Sequence, residues 1–144
     1  MESDMAVPTA GRPPRVLLVD DDVESLALLR EVLESEGMAV VGEARSGAEG
    51  VGQAASLQPD VVLMDLRMDG IGGLEATRLI KERDPFIQVV VLTAYDEPLP
   101  RRSAQEFGAY AYLVKGCSAA LMRDVITQAC LRAAEERRAR ARLT

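Results

Sequence analysis

Val61-Val62-Leu63-Met64-Asp65 is a continuous apolar run that ends on a carboxylate. A run of four apolar residues without alternation fits a strand buried on both faces. Such strands belong to parallel sheets covered by helices on either side. The same grammar recurs along the chain. Val16–Val19 is apolar and stops at Asp20-Asp21-Asp22; Val89–Leu92 stops at Thr93; Tyr110–Val114 stops at Lys115. Ala39–Ala44 reads as a further, edge-like strand.

Helical patterns separate these runs. Residues 26, 28, 29, 32 and 33 are apolar at mostly helical spacing, and Gly37 ends that segment. Ser46 is placed to cap a weaker helix to Leu57, closed by Pro59. Gly70 to Gly73 is a loop, and Leu74 to Arg83 is a helix stopped before Pro85. Pro98 to Phe107 is a poor helix that starts on two prolines and ends at Gly108. Ser118 is placed to cap a long last helix to about Arg142. Five strands alternating with five helices predict an α/β fold, a doubly wound parallel sheet. The small flavodoxin-like strand order, 2-1-3-4-5, suits a chain of 144 residues.

Composition narrows the function classes. The chain contains no histidine, which removes histidine catalysis and histidine metal ligation. A net charge of −6 argues against a broad nucleic-acid surface. Cys117 and Cys130 form no disulfide framework, no secretory leader is apparent and no apolar run approaches a membrane span, so a cytoplasmic location is expected. Residues 1–14, with three prolines and little apolar content, read as a disordered leader. Residues 15–131 read as the folded domain. Residues 132–144, with five arginines and two glutamates, read as a helical extension or linker.

In an open α/β sheet, ligands bind beyond the carboxyl ends of the strands. With the order 2-1-3-4-5, Asp20, Asp21 and Asp65 converge on that edge, with Thr93 and Lys115 beside them. Clustered carboxylates repel unless one holds a proton or a cation intervenes. The ligands are all oxygen, which suits magnesium. A lysine point charge and a hydroxyl suit a phosphoryl group, and a carboxylate can accept one covalently. Taken singly, each residue has an ordinary explanation: a strand-end aspartate as a helix cap, Lys115 as a solvated cation, Tyr112 as strand packing. Their joint placement at four strand ends is what points to an aspartyl phosphate.

LLVDDD at 17–22, VVLMDLRM at 61–68, LTA at 92–94 and GAYAYLVK at 108–115 resemble the receiver domain of bacterial two-component response regulators, over about residues 15–131. The non-proline residue after YLVK leans towards the nitrate-response or LuxR-type subgroup. The resemblance implies a phosphorelay switch rather than an enzyme. Asp20, Asp21, Asp65 and the backbone carbonyl of Arg67 would hold Mg2+, and Asp65 would be the phosphoacceptor. Thr93 and Lys115 would bind the phosphoryl group, and Tyr112 would turn inward with Thr93. The donor would be a sensor histidine kinase. A homodimer through the helix 4/strand 5 face or the last helix is a further implication. DNA would be reached only through an effector domain, which this chain is too short to contain.

Two departures from the family pattern stand beside the site: Met68-Asp69 in place of Met-Pro, and Lys115-Gly116 in place of Lys-Pro. Proline lowers the cost of a cis bond and glycine does not, so the resemblance leaves the loop after Lys115 open. Arg67 and Tyr95 stand where such proteins tune phosphoryl hydrolysis. Two other readings compete. Asp20-Asp21-Asp22 resembles the Asp-x-Asp start of haloacid-dehalogenase-type phosphatases, but Glu24 stands where that family has Thr or Val. A receiver-like pseudo-domain acting only by protein binding would not need the full set of site residues.

Overall fold

The computed structural model describes residues 12–94 and 98–143. The elements run β1 (Arg15–Val19), α1 (Val23–Ser35), β2 (Ala39–Ala44), α2 (Gly47–Leu57), β3 (Val61–Met64), α3 (Gly73–Arg83), β4 (Gln88–Thr93), α4 (Pro98–Glu106), β5 (Ala111–Val114) and α5 (Ala119–Leu143). The strands form one sheet in the order β2-β1-β3-β4-β5, and every pairing is parallel. This is the architecture expected from the alternating pattern. β2 is the half-buried edge.

Alternation along each strand divides the core into two layers. Val16, Leu18, Leu63, Val90 and Leu92 pack with Leu26 and Leu33 of α1 and with Met122, Ile126 and Cys130 of α5. Leu17, Val19, Val62, Met64 and Val89 pack on the other face, with Ala54 of α2 and with Ala76 and Ile80 of α3. Strands with apolar residues on both faces must be covered twice, and the helices do this.

Local signals set the helix starts. The Asp22 carboxylate accepts from the Glu24 amide at 3.1 Å, Ser46 Oγ accepts from the Glu49 amide at 3.1 Å, and Ser118 Oγ accepts from the Leu121 amide at 3.0 Å. α4 has the sequence PLPRRSAQE, with two prolines in its first turn, and Ala104 is its buried apolar residue from position 100 onwards.

The amino-terminal ends of the strands are locked by Asp60, a buried carboxylate just before β3. Arg12 donates to both of its oxygens at 3.1 and 3.2 Å, the Arg15 amide donates at 3.0 Å, and Arg137 of α5 reaches it at 3.4 Å. The Pro14 carbonyl accepts from the Ala39 amide at 2.9 Å. Nearby, Gln88 Nε2 donates to Glu136 at 3.0 Å. Arg12 and Pro14 are therefore tied to the domain, and the packed part of α5 runs past residue 131 to Arg137. Residues 1–11 of the expected leader lie outside the described residues. Among the described residues, no helix is long and apolar enough to cross a membrane.

Hydrogen bonds to a buried charge are worth more than neutral ones, and losing the acceptor strands the Arg15 amide. Asp60→Ala is therefore expected to cost about 2–4 kcal/mol in urea unfolding at pH 7, whereas the exposed Asp69→Ala should stay within about 0.5 kcal/mol.

Candidate functional site

Parallel strands bring their carboxyl ends to one edge. Asp20 leaves β1, Asp65 leaves β3, Thr93 closes β4 and Lys115 follows β5. The backbone keeps these ends in step. The Asp20 amide donates to Ala44, the Asp65 amide to Val19, and the Lys115 amide to the Thr93 carbonyl at 2.7 Å.

Asp20, Asp21 and Asp65 each offer a carboxylate oxygen, and the three oxygens lie within 4.8 Å of one another. Asp20 and Asp65 are buried and Asp21 is exposed, so the cluster opens to solvent on one side. Lys115 Nζ lies 2.6 Å from Asp20 Oδ2 and 3.9 Å from Asp65 Oδ2. It also donates to Ser25 Oγ at 3.2 Å, and Ser25 in turn donates to Asp22. The other Asp20 oxygen accepts from the Asp22 amide at 2.9 Å. Asp22 thus starts α1 and holds Ser25 against Lys115.

The electrostatics follow from burial. Loss of solvent pushes the Asp65 carboxyl up to about 6; Asp20 adds to this, while Lys115 and the amides of Arg67 and Leu66 pull it back. Burial works against the Lys115 ammonium, but its hydrogen bond with Asp20 and the charges of Asp65, Asp20 and Asp22 outweigh burial, so its pKa is raised. The lysine stays charged.

Two glycines shape the loops. A Cβ at Gly73, the first residue of α3, would run into the Asp65 carbonyl oxygen and Leu66 Cα. Only glycine lets α3 begin directly beneath the Asp65 backbone. Gly116 has φ +97°, with open space around it, and turns the chain from β5 into α5. No peptide bond among the described residues is cis, so the loop after Lys115 takes its shape from a left-handed glycine.

All the sequence-predicted residues with described side chains lie on this edge or beside it. Thr93 is fully buried. Tyr112 borders, with Thr93, Leu66 and Phe107, a cleft of about 410 Å³ between α3 and α4. Arg67 and Asp69 are exposed on the loop after β3, and Asp69 is not part of the carboxylate cluster. Tyr95 lies outside the described residues. Ser25 and Gly73 were not singled out from the sequence. The signal for Ser25 was its place three residues after the capping Asp22; Gly73 stood in a loop with three glycines and no mark to separate it.

The oxygen-only donor set fits a hard divalent cation such as magnesium, since one ammonium is shared by two buried carboxylates and Asp21 adds a third acid. Above pH 6 the ionised Asp65 carries a burial cost in the fold; as pH falls from about 6 towards 4 it takes up a proton and the cost disappears. Asp65→Asn should therefore stabilise the divalent-free protein at pH 7.5. The gain is on the order of 1 kcal/mol after solvent screening, and it should fade by pH 4 in thermal or urea unfolding.

The chain has relatives among known proteins. Residues 16–127 match the family model of the response regulator receiver domain. Response regulator GacA of Pseudomonas viridiflava is 46% identical over 114 residues, covering 78% of this chain and 53% of that protein. Response regulator UvrY of Escherichia coli is 46% identical over 105 residues, covering 72% of this chain and 48% of that protein. The chain spans about half the length of the curated relatives it matches. The response regulator domain of Thermotoga maritima CheB superposes with a TM-score of 0.77 at 31% identity, covering 83% of this chain and 97% of that one.

Proposed function

The chain belongs to the response regulator receiver domain family, and on that premise we propose that Asp65 accepts a phosphoryl group from a phosphohistidine of a sensor kinase in a magnesium-dependent reaction. The observation that carries this reading is the meeting of Asp20, Asp21, Asp65 and Lys115 at one sheet edge, with Asp65 buried but reachable.

An Asp65 oxygen attacks phosphorus, the P–N bond breaks, and the electron pair returns to the imidazole of the donor. Asp65 must be ionised to attack, and a carboxyl held near 6 is mostly ionised at neutral pH. Asp20, Asp21, Asp65 and the Arg67 carbonyl would hold Mg2+. Magnesium, when bound, offsets the carboxylates and the charge on the phosphoryl oxygens. Lys115 gives up its bond to Asp20 to meet a phosphoryl oxygen, starting from a position 3.9 Å from Asp65. Thr93, at the end of β4, binds another oxygen through its hydroxyl.

Thr93 and Tyr112 then carry the signal. They lie on the same face of the sheet, because Val90 and Leu92 of β4 and Ala111 and Leu113 of β5 all belong to the opposite layer. Movement of Thr93 towards Asp65 leaves room for the Tyr112 ring in the cleft they share. The surface of α4 and β5 is repacked as a result. α4, which starts on two prolines and is mostly polar from Arg101 onwards, is the element proposed to yield.

In the whole protein this switch would govern a transcriptional output domain in the cytoplasm, with DNA reached only through that domain. A homodimer through the α4/β5 face or α5 is one route to that output. Turnover chemistry is not part of this role.

Acetyl phosphate with magnesium provides the test. One phosphoryl group should be added to the intact chain by mass spectrometry, lost on chelation of the metal before mixing and absent in Asp65→Asn. Incorporation that survives in Asp65→Asn, or none in the wild type, overturns the proposal.

A further inference from the structure

Arg101 is in an unfavourable place for a helix. It lies in the first turns of α4, where the exposed amides already present positive charge. One of its contacts is with Tyr112. The Arg101 guanidinium lies over the Tyr112 ring, 4.4 Å from its centroid, well within range for a cation–π contact. Ala104, one turn further along α4, is small and fully buried, so the helix approaches β5 closely enough for Arg101 to reach across.

The ring stands between two spaces. On one side is the cleft of about 410 Å³ that it shares with Thr93 and Phe107. On the other is a groove of about 250 Å³ between α4 and β5, lined by Arg101, Ala104, Gln105 and Tyr110. Arg101 borders the groove and not the cleft. Tyr112 is half-buried and Arg101 exposed, so the cation holds the ring towards the α4–β5 surface.

We propose that Arg101 is a positioning residue that latches Tyr112 on the α4–β5 side and thereby sets how readily the phosphoryl-driven switch turns. This rests on the phosphoacceptor reading of Asp65. Turning Tyr112 into the Thr93 cleft takes the ring away from the guanidinium, so the contact stabilises the unswitched arrangement alone. By linkage, a contact made in one state only raises the ligand concentration needed to populate the other. A surface cation–π contact corresponds to about a two- to fivefold bias in that equilibrium.

The full chain is titrated with beryllofluoride, a phosphoryl mimic, at saturating magnesium. Binding is followed by tyrosine fluorescence and by the ring resonances of Tyr112. Arg101→Ala should tighten the apparent affinity about two- to fivefold and shift the Tyr112 ring resonances before any ligand is added. Arg101→Lys, which keeps a cation over the ring, should stay near wild type. In a Tyr112→Ala background, Arg101→Ala should change nothing. Unchanged or weaker binding in Arg101→Ala, or the same tightening without Tyr112, overturns the latch while leaving the phosphoacceptor reading intact. Failure of the wild type to bind the mimic overturns the phosphoacceptor reading and the latch with it.

Discussion

The Lys115 ammonium lies 2.6 Å from Asp20 and 3.9 Å from Asp65, and this one cation offsets two buried carboxylates. A single positive charge cannot fully balance them. Burial first, and the Asp20 charge after it, push the Asp65 carboxyl up to about 6, while the lysine is held firmly charged. On the proposed reading, such a site would take up a further cation and then a group whose oxygens attract Lys115. The imbalance is sustained because β1, β3 and β5 end at the same edge and cannot move apart without breaking a sheet buried on both faces.

The domain is anchored differently at its two ends. At the amino-terminal ends of the strands, Asp60 is satisfied by Arg12, the Arg15 amide and Arg137, so Arg12 and α5 at Arg137 are both tied to the sheet. At the carboxyl ends the charges are under-compensated, and the neighbouring α4 is held by Ala104, half-buried packing and the Arg101–Tyr112 contact. The charge-compensated end of the sheet thus lies opposite the site. This division suits a switch, in which a small local change must repack one surface without unfolding the rest.

Much of this was legible in the linear pattern. Unbroken apolar runs such as Val61–Met64 imply strands buried on both faces, and helical spacing between them implies a doubly wound sheet; the observed elements and strand order are those. Asp20, Asp65, Thr93 and Lys115 could be assigned to one edge because each ends an apolar run, and a parallel sheet leaves those ends nowhere else to go. Ser46 and Ser118 declared their helix starts because capping is a local interaction between residues three apart.

Other features are properties of packing and have no local signature. Asp60 looked like any polar residue before a strand; only folding brings Arg12 and Arg137, 48 positions before it and 77 after it, onto its carboxylate. Gly73 was one of several loop glycines until α3 was seen to start against the Asp65 backbone. The loop after Lys115, left open by the missing proline, is settled by a glycine at φ +97° rather than by a cis bond. Arg101 was one of several arginines, and its contact with Tyr112 needs the distance between α4 and β5. The sequence carries periodicity and strand-end chemistry because both are local or imposed by topology; charge compensation and close approach depend on distances between residues remote in the chain, which exist only once the layers are packed.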